Sequence, residues 1–243
     1  IYHKNMSNYK KILKQLLEIP LLREKPSTLE NVQSLNKALS YPTSTYFTIH
    51  VAGTNGKGSV SMKIAKALEY CGYRVGLYTS PHIHSPCERI CINSEIISEE
   101  DVICGAEKLF QVCQKLELNL SFFEFMTFLA FEFFCEKRVD IAVIETGLGG
   151  RLDATNILCP ILTVITSISK EHMQLLGQNL EKIAFEKAGI LKPKVPVVLG
   201  PRARFQSIYN HACALHCPVY YISKVFHFFD EENSEIAKNA LEQ

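Results

Sequence analysis

At 243 residues and 47% apolar composition, the chain can bury a full core as one large domain or two small ones. Its formal charge of +1, from 26 basic and 25 acidic residues, gives no argument for nucleic acid or an anionic membrane as partner. Nine cysteines, an odd number with no C-x-x-C pair, suit free thiols in a reducing compartment, with the cytoplasm as the default.

No run reaches the ~18 apolar residues of a membrane span, and residues 1–6 lack the apolar core of a signal peptide. The chain opens on Ile1 rather than Met, so its start is expected to be trimmed or its initiator to lie elsewhere. Apolar residues at 12, 13, 16 and 17, then at 29, 32, 35 and 39, recur at helical spacing and are interrupted by Pro20 and Pro26. Two short helices are predicted within residues 7–40.

From Tyr46 a β-branched run breaks into Gly53-Thr-Asn-Gly-Lys-Gly-Ser59, and helical spacing then continues from Ser59 to Tyr70. Gly72 stops that helix and residues 74–78 read as a second strand, which completes a βαβ unit. The proline-punctuated segment 79–89 leaves the C-terminal end of this strand, where open α/β sheets bind ligands. Residues 90–97 suit a small hairpin, and Ser98 caps a helix running to about Leu116.

Seven phenylalanines between positions 122 and 134 predict a deeply buried helix. Strands are expected at 139–145, 161–166, 195–199 and 218–222, with helices at 179–191, 204–215 and 233–241. The expected fold is therefore α/β: a mostly parallel sheet with helices on both faces, in three layers, plus the small hairpin. A single domain would span residues 1–243, with 1–45 as a helical extension.

The glycine loop carries the chemistry. Gly53, Gly56 and Gly58 let backbone N–H groups approach a polyphosphate, and the helix start adds its positive end. Lys57 would supply a point charge and Ser59 an oxygen near Mg²⁺. Compared with the usual pattern, Gly58 separates Lys57 from Ser59, and Val51 stands where the first glycine is normally found. An ATP-type phosphate site is the working premise, set against a bare strand-to-helix turn.

Glu145 ends an apolar strand and runs into Thr146-Gly-Leu-Gly-Gly-Arg-Leu-Asp-Ala-Thr-Asn156, so its carboxylate can reach a metal on the phosphates. The alternative is a strand-end acid facing water. His172 follows the strand at 161–166 on the same edge, opposite the phosphate loop. Lys187, on a helix, reads from the residues alone as a solvated charge. His211 and Cys213 point about 200° apart on a helix, which argues against a zinc site there.

Four blocks in order resemble the folylpolyglutamate synthases and dihydrofolate synthases, relatives of the Mur ligases. They are Val51 to Ser59, Thr79-Ser-Pro-His82 with Glu88-Arg89-Ile90, Glu145 to Asn156, and His172 through Leu176-Gly177 to Glu186-Lys-Ala-Gly-Ile190. The resemblance implies ATP-dependent amide ligation, in which a substrate carboxylate becomes an acyl phosphate and the amine of L-glutamate displaces phosphate. Dihydropteroate, a folate or both would be the acceptor.

By motif position, the resemblance assigns Thr54, Asn55, Gly56, Lys57, Gly58, Ser59 and Asn233 to ATP. Ser80, Glu145, His172 and Lys187, the last as a carbamate, would be ligands of Mg²⁺, and Lys57, His172 and Lys187 would serve the reaction. Ser121, Phe122, Phe123 and Glu124, with Leu152, Asp153 and Ala154, would line the pterin. Glu171 stands where the family usually has Asp. The family also carries a second domain that closes over the nucleotide and would begin about where this chain stops, at Gln243. Rival expectations are a Mur-type ligase of cell-wall precursors and a non-catalytic module holding nucleotide or pterin. Nothing in the sequence argues for an oligomer, and a monomer is expected.

Overall fold

A computed structural model describes residues 2–20, 28–224 and 226–243, with side chains from residue 8 onward; Pro26 lies outside the described residues. The strands are β1 (Phe47–Ala52), β2 (Val75–Tyr78), β3 (Ile90–Ile92), β4 (Glu95–Ile96), β5 (Ile141–Glu145), β6 (Leu162–Ser167), β7 (Val197–Arg202) and β8 (Val219–Tyr221). Among the described residues they form one sheet in the order β4-β3-β2-β5-β1-β6-β7-β8. Six strands from β2 to β8 run parallel, and β3 and β4 add the antiparallel hairpin.

The helices are α1 (Tyr2–Glu18), α2 (Glu30–Ala38), α3 (Lys57–Tyr70), α4 (Glu99–Lys115), α5 (Phe122–Glu136), α6 (Met173–Leu176), α7 (Leu180–Ala188), α8 (Gln206–Ala214) and α9 (Phe229–Leu241). Because side chains alternate along a strand, Ile49 and Val51 of β1 face Val60 and Ile64 of α3 and Ile236 of α9. Ala52 faces the other way, into a core with Ile183 of α7 and Ile208 of α8. On that second face Phe125, Phe128, Phe131 and Phe134 of α5 pack with Leu109 of α4. Ile12, Leu16, Val32 and Leu35 join the same core, so the N-terminal helices are built into the domain. Each of these phenylalanines removes enough apolar surface from water to stabilise the fold by about 2–3 kcal/mol.

Two helix starts beside the phosphate loop differ from the sequence reading, and one short helix is missing from it. α3 starts at Lys57 rather than Ser59, because Gly56, at φ +85, makes the turn into it. α9 starts at Phe229 rather than Asn233, and Asp230, Glu231 and Glu232 in its first turn oppose the helix dipole. The four residues of α6 are too few to show a period.

The connections position the site. β1 and β6 are neighbours, but α3 carries the chain from β1 towards β2 while α6 and α7 carry it from β6 towards β7. Connections that diverge from adjacent parallel strands leave a crevice at their C-terminal ends.

Candidate functional site

The crevice is formed by the ends of β2, β5, β1 and β6. Residues 53–56 leave β1 and are fastened to β6: the Thr54 N–H donates to the Ser167 carbonyl at 2.8 Å, and the Asn55 N–H to Ser167 Oγ at 2.9 Å. Thr166 Oγ1 donates back to the Asn55 carbonyl at 2.7 Å, and the Ser169 N–H donates to Thr54 Oγ1 at 3.1 Å. Lys57 Nζ donates to the Thr54 carbonyl at 3.2 Å, so its charge hangs over the loop. Gly58 lies in the first turn of α3, with exposed Ser59 beside it. Asn233 of α9 reaches this place too: a Cβ on Gly56 would meet its Oδ1 at 2.4 Å.

Glu145 is buried, 3% exposed, so the reading of a strand-end acid facing water does not hold. Its Oε2 accepts from the Ser80 N–H at 3.0 Å and lies 3.5 Å from where a Cβ on Gly58 would sit. Burial pushes its carboxyl up to about 7, against the pull of the Ser80 N–H and the Lys57 charge. A carboxyl raised in this way binds more protons folded than unfolded, so its contribution to stability falls as pH rises from about 4.5 to about 7. Glu145→Gln is therefore expected to stabilise the metal-free protein by about 3 kcal/mol at pH 8 and hardly at all at pH 4. Urea denaturation at both pH values measures this, and an equal difference at the two would refute it.

Lys187 overturns the reading from its residues alone. It is 1% exposed rather than solvated, because α7 turns it inward under the phosphate loop. Its Nζ donates to the Gly53 carbonyl at 2.7 Å and to Glu171 Oε1 at 2.5 Å. Burial lowers its pKa, Glu171 raises it, and the charge of Lys57 lowers it further. Lys57 thus acts electrostatically on both Glu145 and Lys187, which puts the three in one charge cluster.

His172 stands apart from that cluster. It is exposed, sits in the left-handed region at φ 42 as the residue before α6, and its ring makes no hydrogen bond or ion pair among the described residues. No three His, Cys, Asp or Glu side chains among the described residues form a ready cage for a metal.

The residues expected to line the pterin divide. Ser121 and Glu124 are occupied with each other in the capping box of α5: Glu124 Oε2 accepts from the Ser121 N–H at 2.7 Å and its Oγ at 2.8 Å. Phe122 is buried edge-on to His82, with the Arg89 guanidinium over its ring. Phe123 is half-buried and lies against Gly147, where a Cβ would come within 2.5 Å of its ring. Leu152 is exposed and Ala154 buried. Asp153 is buried and accepts the Gly147 and Leu148 N–H groups, both at 2.9 Å, so it shapes the loop after β5.

Thr166, Ser167, Ser169 and Glu171, which brace the loop and Lys187, were not singled out as braces from the sequence. The signal of the first three is a run of hydroxyl residues at the end of an apolar strand. Arg89, buried and donating through Nε to His82 Nδ1 at 2.9 Å, gave none beyond its place in a motif. A cavity of about 1120 Å³ lies at the opposite edge, lined by Tyr41, Phe47, Tyr73, Ile141 and Ile161 where the strands begin.

A parallel sheet whose first strand runs into a glycine loop, with a buried acid and a buried lysine at that edge, defines a P-loop-type α/β domain. The chain belongs to the Mur ligase middle domain family, whose model matches residues 51–199. It is similar to a dihydrofolate synthase/folylpolyglutamate synthase of Bacillus subtilis, 43% identical over 175 residues, or 70% of this chain and 41% of that protein. Among solved structures it is similar to a folylpolyglutamate synthase of Thermotoga maritima, with TM-score 0.88 and 34% identity over 98% of this chain and 62% of that one. A folylpolyglutamate synthase in complex with AMPPCP and folate also gives TM-score 0.88, at 30% identity over 97% of this chain and 66% of that one. The chain spans less than half the length of these curated relatives.

Proposed function

We propose that this chain forms the nucleotide- and acceptor-binding part of an ATP-dependent ligase that joins L-glutamate to a pterin-bearing acid, dihydropteroate or a folate. One observation carries the reading: Lys57, Glu145 and Lys187 converge around a preformed phosphate loop at the carboxyl edge of the sheet. The relatives, named for folylpolyglutamate and dihydrofolate synthesis, supply the substrate class.

The residues present fit ATP and Mg²⁺. Gly56 and Gly58 leave open backbone where side chains would meet Asn233 and Glu145, and a buried carboxyl raised to about 7 is one that a cation would keep ionised. In this reading residues 54–59 cradle the phosphates, with the backbone N–H groups of residues 56–59 and the Lys57 charge turned to them, and Asn233 flanks the nucleotide. Ser80, Glu145, His172 and Lys187 are the residues that would hold Mg²⁺, with His172 turning inward from its exposed position. Magnesium bound there would offset charge on the phosphates as the phosphoryl group moves. Burial lowers the Lys187 pKa and so raises the share of neutral amine, the form that can add CO₂ and release a proton to become an anionic carbamate ligand. Phe123 and the loop held by Asp153 face the acceptor.

Calorimetric titration of Mg-ATP into the chain and into Lys57→Ala tests the nucleotide half. The variant is expected to bind about 30-fold more weakly, corresponding to one lost charge-assisted contact of about 2 kcal/mol. Equal affinity in the two proteins would sink the assignment of the loop.

A further inference from the structure

Halfway along β1, His50 faces away from Ile49 and Val51 and is fully buried. Its Nε2 lies 2.8 Å from Thr155 Oγ1, which in turn lies 2.5 Å from Asp153 Oδ1. That same carboxylate oxygen accepts the Thr155 N–H at 3.0 Å, while the other takes the Gly147 and Leu148 N–H groups. Three backbone N–H groups on one carboxylate hold it ionised against the upward push of burial, so the Thr155 hydroxyl is its fourth donor. Thr155 has a single hydroxyl hydrogen, and it goes to Asp153. Thr155 Oγ1 therefore accepts from His50, whose Nε2 carries the ring proton.

This direction leaves His50 Nδ1 as a bare lone pair, and that atom is buried with no partner among the described residues. Burial, with the nearby Lys192 charge, lowers the His50 pKa to about 3, so the ring stays neutral. At the other end of the chain of bonds, Gly147 supports the ring of Phe123. A line of contacts thus runs from the middle of β1 to the loop after β5 and the aromatic ring beside it.

We propose that His50 is a positioning residue for the acceptor: through Thr155 and Asp153 it fixes the Gly147–Leu148 loop and the Phe123 ring, and so sets affinity for an aromatic acceptor without acting on the nucleotide. This rests on the reading of the site as a pterin-acid ligase. β1 then serves both substrates, its end shaping the phosphate loop and its middle the acceptor loop.

The test titrates the full chain and the variants His50→Leu, Thr155→Val and His50→Gln with folate and, separately, with Mg-ATP. His50→Leu and Thr155→Val are expected to weaken folate binding about tenfold or more and to leave Mg-ATP binding within about twofold. His50→Gln, whose amide N–H can stand in for Nε2–H, is expected to recover most of the loss. A purely structural role would weaken both titrations together, and folate affinity unchanged in His50→Leu would overturn the proposal. Long-range ¹H–¹⁵N spectra of the wild-type histidines give an arm that needs no ligand: His50 must carry its proton on Nε2, and a proton on Nδ1 would overturn the relay. If the wild type binds no folate, the ligase reading fails. The tautomer, and movement of the Gly147 and Leu148 amide signals in Thr155→Val, still decide the relay.

Discussion

Gly53→Ala is expected to abolish Mg-ATP binding and to lower stability by about 4 kcal/mol. Gly53 sits at φ +150, which an L side chain rarely adopts, and its Cβ would lie 1.9 Å from Thr166 Oγ1 and 3.1 Å from the Thr166 backbone nitrogen. Backbone strain costs about 1–3 kcal/mol and overpacking a similar amount. The displaced hydroxyl is the one that donates to the Asn55 carbonyl, so relieving the clash unfastens the loop. The neighbouring Gly53 carbonyl also accepts from Lys187, which loses a partner if the backbone turns. Urea denaturation gives the stability and calorimetry the binding. A variant that unfolds like the wild type and still binds Mg-ATP would show that the loop is not held as described.

Glu171→Gln is expected to cost about 3 kcal/mol at pH 7, because it leaves the Lys187 ammonium buried without an anionic partner. The pH dependence has a definite sign. Burial already holds the folded pKa of Lys187 below its unfolded value. The unfolded chain therefore binds more protons, and stability rises with pH through that range. Without Glu171 the folded pKa falls further, so the deficit of the variant should shrink as pH rises from 7 towards 10. Adding Lys187→Met to Glu171→Gln should restore part of the loss, since it removes the stranded charge. If the double variant is as unstable as the sum of the single ones, the two residues are not a coupled pair. Glu171→Asp, one methylene shorter, is expected to fall between the wild type and Glu171→Gln.

The frame of the molecule was readable because its signals are local. The β-branched runs at β1, β5 and β6, the phenylalanine-rich α5 and the stop at Gly72 each declare themselves within a few residues. The site was readable in part for the same reason, since Gly53 to Ser59 and the glycines after Glu145 are contiguous. Lys187 was readable only through the family resemblance, because nothing in residues 184–190 says which face of α7 lies beneath a loop 134 positions earlier. Its burial is a property of the β1–β6 neighbourhood, which only the folded chain creates. Ser121 and Glu124 show the opposite case. Their S-x-x-E spacing is a local helix-start signal, and the folded chain uses them that way, while the family resemblance alone pointed to the pterin.

The fastening of the phosphate loop to β6 also shapes the thermodynamics of binding. Thr54 and Asn55 have already given their N–H groups to Ser167, and the hydroxyls of Thr166 and Ser167 hold the Asn55 carbonyl from the other side. The loop loses its conformational freedom when the chain folds, before any phosphate arrives, so the ordering cost that weakens many loop–ligand contacts falls on folding instead. Nucleotide capture by this loop should therefore carry little entropic penalty from the backbone, and its rate should be set by diffusion and charge rather than by waiting for a rare loop shape.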